Sequence, residues 1–446
     1  MQYLNVDLPD DVKSYVDAGY FNKARGLISL YLDRNISSLL KERLDFELVR
    51  IKVLEKNYIY SFREAYELCY KSIEGFTEDE LQYLIDERFA DWIFIEGEIK
   101  LSKRFLANTI KVHPNIKDRL FVKEPFDNSG DLRKRVVSEI IEKGSKSYFI
   151  HLKTGISVTP DNEVKGDKIK VHIPIPKKSQ QIENIKILSA TPEYKDLSPI
   201  DHPQRTMYFE VDLKDKNLFT VEYSYESHIK YNDLDYNHVS KVQPKFYTNE
   251  ELPHVKFSPF LVDLTNEIIK EEINPLKKAR LIYDYITQNV QYSYMRPYIS
   301  ILSIAEYCAY NLKGDCGVQA ILFITLCRIA GIPARWQSGL YVNPHFIGCH
   351  DWAEFYIEPY GWLFADPSFG GGARRNNDMV GWNFYFGNLD PFRMVANDAF
   401  HYPLYPEKNF LRSDPYDNQT GEAETELMNL NEYTENILEI IDIHEI

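Results

Sequence analysis

The chain has 446 residues, 44% of them apolar and 27% charged, enough for two or three globular domains. Its net charge of −15 argues against nucleic acid as a partner, and no uninterrupted apolar run is long enough to span a bilayer. Five cysteines at irregular spacing form neither a disulfide scaffold nor a zinc-ligand pattern, so no metal and no cofactor is expected.

The start, Met1 to Asp11, has neither the basic nor the apolar segment of an export signal. A reducing cytoplasm is the simplest home for free thiols, although a chain relieved of a signal peptide would read the same. Residues 1–125 read as a helical domain. Ala24, Leu27, Leu30 and Tyr31 share one helix face, and Leu40, Leu44, Leu48, Ile51 and Leu54 another. Ser61 with Glu64 and Thr77 with Glu80 have capping-box spacing. Short helices punctuated in this way suggest stacked hairpins without a fixed-period repeat. Residues 127–131 mark a loop, and Leu132 to Lys143 a connecting helix.

Residues 145–245 change character. Ile169, Val171, Ile173 and Ile175 alternate with polar residues, as do Met207, Phe209, Val211 and Leu213, then Phe219, Val221, Tyr223 and Tyr225. That period predicts a β-sandwich, with Pro174 and Pro176 confined to an edge or a strand end. Residues 255–412 form the domain that carries chemistry. It opens with a helix over 257–270 and a second one capped by Asn274-Pro275; a short strand follows at 290–294, then a helix at 303–310. Residues 413–446 are an acidic tail with no Lys or Arg. Its first part is expected to be disordered, and Leu427 to Ile443 to form a helix or pair with a partner.

Within Gly314 to Ser368, Cys316, His350 and Asp366 fall in that order, each at the edge of a regular element. Val318, Ile321, Leu322, Thr325, Leu326 and Ile329 predict a buried helix from Cys316 to Ala330, stopped by Gly331 and Pro333. Cys316 then sits in the first turn, where unpaired N–H groups and the positive end of the dipole favour a thiolate. Gly314 and Gly317 leave room for a substrate backbone. His350 precedes an alternating run from Trp352 to Ile357, and Gly361 to Asp366 reads as its hairpin partner. Two such strands could set His350 beside Asp366, which would orient the imidazole toward Cys316. Cys308 and Cys327 fall among apolar residues and read as packing, while Cys349 is a candidate redox neighbour.

The runs GDCGVQA, LCRIAGIPARWQSGLYV, HDWAEFYI and GWLFADPS resemble the core of the transglutaminase-like cysteine enzymes, over roughly Ala279 to Arg393. The resemblance implies a papain-like α+β core, a helix packed on an antiparallel sheet, preceded here by the β-sandwich and the helical domain. It makes Cys316 the nucleophile, His350 the general base and acid, and Asp366 the orienting carboxylate. The implied reaction is acyl transfer or hydrolysis on a peptide or protein amide. Peptidase or amidase chemistry leads, with protein-glutamine transglutaminase or peptide N-glycanase as alternatives. A non-catalytic peptide-binding scaffold is the rival from another class.

The Cys316 N–H is one expected oxyanion donor. Tyr310, Asn311, Gln319 and Trp352 are candidates for the second donor or for substrate contact. Animal cross-linkers use a tryptophan upstream of the Cys, and none lies between Phe257 and Gly314, which favours hydrolysis. Gly370 to Arg375 reads as a flexible basic loop, with Arg374 or Arg375 able to meet a substrate carboxylate. Phe386 to Arg393 reads as structural.

Overall fold

The computed structural model describes residues 2–122, 129–161, 163–214, 216–412 and 416–446. Of the loop expected at 127–131, residues 127 and 128 lie outside these, and Ser129 to Asp131 already belong to the helix Ser129–Lys143. The N-terminal part is largely helical. Ser61 closes both bonds of a capping box on the helix Phe62–Ser72. Thr77 accepts from the Glu80 N–H at 3.2 Å, but the Glu80 carboxylate turns to Arg119. A three-stranded antiparallel sheet (Tyr58–Tyr60, Glu98–Ser102, Trp92–Ile95) is folded in among the helices. Its strands are three to five residues long, too short to show a period.

Two four-stranded antiparallel sheets follow, built on the long pair Ser145–Val158 and Asn217–Lys230 and on Lys168–Pro174 with Thr206–Asp212. Pro174 ends its strand, where a missing N–H costs no ladder bond. The helix expected over 427–443 gives way to strand. Glu422–Thr425 joins Lys168–Pro174, and Thr434–Glu445 pairs with Ser145–Val158 along most of its length. Leu438, Ile440 and Ile443 of the last strand pack on the core. Glu422 is buried, and its oxygens accept from Arg412 Nε at 2.7 Å and Lys408 Nζ at 3.2 Å.

The third part is a five-stranded antiparallel sheet in the order Phe386–Gly387, Gly361–Ala365, Phe346–Ile357, Ala334–Asn343, Arg393–Asn397. The helix Cys316–Ile329 packs against it, buried at every residue from Cys316 to Arg328. An apolar sequence on all sides of a helix requires such a place. Asn274 caps the helix Pro275–Asn289 by accepting from the N–H groups of Leu276 and Lys277. The N-terminal part is tied to this core by a reciprocal pair. The Tyr294 N–H donates to Asn108 Oδ1 at 2.6 Å, and Asn108 Nδ2 donates to the Tyr294 carbonyl at 3.0 Å.

Candidate functional site

Cys316 opens its helix directly after Asp315, whose side chain caps it by accepting from the Val318 N–H at 3.1 Å. The Tyr298 hydroxyl donates to the same Asp315 oxygen at 2.5 Å. The Cys316 thiol donates to Asp351 Oδ2 at 3.2 Å, and Gln419 Nε2 donates to Asp351 Oδ1 at 2.5 Å. Gly317 is required here, because a Cβ would lie 2.3 Å from the Tyr298 oxygen and 2.8 Å from Asp351 Oδ2. Cys316 lines a cavity of about 440 Å³ together with Tyr292, Tyr298, Asp351 and Gln419. Burial pushes the thiol pKa well up, and the carboxylates of Asp351 and Asp315 push it further. The helix dipole favours the thiolate, but the burial and the two carboxylates outweigh it.

His350 Nε2 and Asp366 Oδ2 are 2.7 Å apart, both residues buried. An ionised Asp366 can only accept, so it fixes the proton on Nε2 and leaves Nδ1 as the basic nitrogen. Asp366 Oδ2 also accepts from Arg393 Nη2 at 3.0 Å, and Oδ1 from the Phe369 N–H at 2.9 Å. Burial alone would raise the Asp366 pKa. His350, Arg393 and the Phe369 N–H overcome it and hold the group at about 2. Arg393 keeps its charge whether or not the imidazole is protonated, so Asp366 stays ionised. Burial lowers the His350 pKa, outweighing the pull of Asp366. Arg393 is fully buried and bridges on to Asp390 Oδ1 at 2.9 Å.

The structure therefore brings His350 to Asp366 and brings Cys316 to Asp351. His350 and Asp351 are consecutive residues of a regular strand, opposite Gly339 and Ser338 in an unbroken register. Consecutive strand side chains point to opposite faces. The imidazole shares its face with Trp352, its ring centroid 5.9 Å away, and Phe369, 4.4 Å away. Asp351 shares the other face with the Cys316 helix. Among the described residues no hydrogen bond joins Cys316 to His350.

The remaining candidates scatter. Trp352 is buried beside His350 and donates to Gln337 Oε1 at 2.7 Å. Gln319 is buried, with its Nε2 donating to the Gly314 carbonyl at 2.8 Å. Tyr310 stacks on Phe260 at 4.2 Å and, with Asn311, lines a separate cavity of about 720 Å³ that holds no candidate nucleophile. The flexible loop expected at 370–375 is instead a helix, Pro367–Arg375, with Asp366 as its N-cap and Pro367 in its first turn. Arg375 Nη1 bonds the Val290 carbonyl at 3.4 Å, and the Arg374 guanidinium lies 4.6 Å over the Trp382 ring. Asp351 and Arg393 were not among the expected site residues. Asp351 could have been flagged as an acid beside His350, and Arg393 as the one cation ending the run Phe386 to Arg393. Among the described residues no three His, Cys, Asp or Glu are placed to hold a metal, and no helix is long and apolar enough to cross a membrane.

A Haemophilus influenzae protein of uncharacterised function is 27% identical over 192 residues, covering 35% of this chain and 50% of the relative. The chain thus spans about half the length of that curated relative. A Cytophaga hutchinsonii crystal structure, provisionally assigned as a cysteine protease, is similar at 14% identity and a TM-score of 0.41, over 68% of this chain and 91% of that one. The periplasmic domain of TgpA from Pseudomonas aeruginosa is similar at 10% identity and a TM-score of 0.29, over 56% and 96%. Residues 262–367 match the profile of the transglutaminase-like superfamily. That segment is a transglutaminase-like domain, set in a mixed helix-and-sheet chain of the α+β class.

Proposed function

We propose that this chain is a cysteine-dependent enzyme that performs acyl transfer or hydrolysis on peptide or related amide bonds. The observation that carries the reading is the position of Cys316, at a helix start on the wall of a cavity large enough for a peptide segment. The Cys316 sulfur attacks the amide carbonyl carbon, and the Cys316 N–H steadies the oxygen as it gains charge. His350 takes the thiol proton at Nδ1 and returns it to the departing amine, with Asp366 and Arg393 holding the ring. The thioester is resolved by water or by a second amine.

His350 is assigned the proton in preference to Asp351 on grounds of pKa matching. In their ordinary ranges an imidazole lies about 2 units from a thiol and a carboxylate about 5; burial raises the Cys316 thiol and lowers the His350 imidazole, which widens the first gap. The Asp351 contact describes a resting state in which the thiol is protonated. Because the imidazole stays with Asp366 and Arg393, the transfer requires the Cys316 sulfur and the His350 ring to be brought to the same side of the strand.

The opposed faces of Cys316 and His350 favour a second reading, a scaffold that grips a peptide without cleaving it. Hydrolysis is preferred to cross-linking, since no tryptophan precedes Cys316 between Phe257 and Gly314. The test is a peptide-library digestion with and without a labelled primary amine. Cleavage without amine incorporation supports the hydrolase, and incorporation the transglutaminase. Release of glycan from a glycopeptide supports the N-glycanase. Binding with none of these supports the scaffold.

A further inference from the structure

We infer that Lys103 and Arg104 of the N-terminal part form an anion-recognising rim on the Cys316 cavity, so that the preferred substrate is an acidic peptide. The inference rests on the reading of Cys316 as the reacting group. Lys103 and Arg104 both line the cavity, and both are exposed. Neither makes an ion pair among the described residues. The acids on the same wall are already engaged. Asp315 accepts from Tyr298 and the Val318 N–H, Asp351 accepts from Cys316 and Gln419, and Asp417 is not free either. The donors to Asp315 and Asp351 are neutral and leave those carboxylates charged, but Asp351 and Asp417 are buried and Asp315 half-buried, so the exposed charges at the edge of the cavity are those of Lys103 and Arg104.

The main chain at Lys103 and the guanidinium of Arg104 are held in place. The Lys103 N–H bonds the Asn57 carbonyl at 2.7 Å, and the Arg104 guanidinium lies 5.9 Å over the Tyr294 ring. Tyr294 is itself fixed to the N-terminal part by the two bonds with Asn108. Lys111 extends the strip, 3.9 Å over Tyr292 and 4.6 Å over Tyr294. A rim of unpaired charge beside a desolvated pocket steers and orients oppositely charged ligands, and does so less as salt rises.

The experiment compares a hexapeptide library carrying a single Glu at each position with its Gln-matched counterpart. Full-length protein and the double variant Lys103→Gln, Arg104→Gln are assayed at low and high salt. The expected result is about a fivefold to tenfold higher kcat/KM for the Glu peptides, expressed mainly in KM. The preference should be lost in the double variant, reversed in the Lys103→Glu, Arg104→Glu variant, and weakened by salt. Equal rates on the two libraries, or a preference that survives both double variants, would overturn the inference.

Fluorescence anisotropy on Cys316→Ala protein reads the same preference as binding, without chemistry. Selective binding without any Cys316-dependent cleavage would refute the enzyme reading and leave the anion rim standing. Cleavage without charge selectivity would do the reverse.

Discussion

The two faces of the strand Phe346–Ile357 treat a carboxylate in opposite ways. On one face Asp366 meets His350 and the guanidinium of Arg393, is driven to about 2, and acts as a fixed negative charge. On the other, Asp351 meets a neutral thiol and helps to keep it protonated. A carboxylate beside a cation is a stable anchor, whereas a carboxylate beside a thiol is a lock on the nucleophile. Chemistry at Cys316 requires the first face to serve the second.

The sharpest way to break this comparison is His350→Ala. If the imidazole serves the thiol, kcat/KM on a cleaved peptide falls about 10³-fold to 10⁴-fold while Asp351→Asn retains activity. If Asp351 were the base, the two variants would exchange phenotypes. Arg393→Gln should come next, destabilising by about 3–5 kcal/mol in a denaturant titration, because Asp366 and Asp390 would lose a fully buried partner.

Acid tests the buried histidines. His350 has its folded pKa lowered by burial, and so has His172 on the strand Lys168–Pro174, to about 4. A depressed folded pKa gives stability that is full above the unfolded value near 6.5 and lost as pH falls through the folded value. Between pH 6.5 and 4, His172 alone should cost about 3 kcal/mol, measured as a falling denaturation midpoint that His172→Asn removes. The smallest effect concerns the thiol. Asp351→Asn should speed iodoacetamide labelling of Cys316 at pH 7 by about fivefold, since burial, the larger cause of its high pKa, remains.

Much of the core could be read in advance because its signals are local. The predominantly apolar run after Cys316, the Asn274-Pro275 cap and the alternation from Trp352 to Ile357 each specify an element without outside help. The C-terminal strand was hidden by its acids. Glu435, Glu439 and Asp442 suggested solvation, while the alternation of Leu438 and Ile440 that marks a strand depended on a partner far earlier in the chain, such as Leu152 opposite Ile440. The same limit applies at the site. Residue types and order point to Cys316, His350 and Asp366, but the face on which a strand residue projects is set by register against Ala334–Asn343. Arg393 reaches Asp366 only because its strand closes the sheet on the far side of Ala334–Asn343.

The most direct measurement is digestion of a peptide library by the intact protein beside its Cys316→Ala variant, with products read by mass spectrometry. The account predicts peptide bonds, or closely related amides, cut by the intact protein and left whole by the variant. Identical product spectra from the two proteins would contradict it and leave a transglutaminase-like domain that binds without reacting.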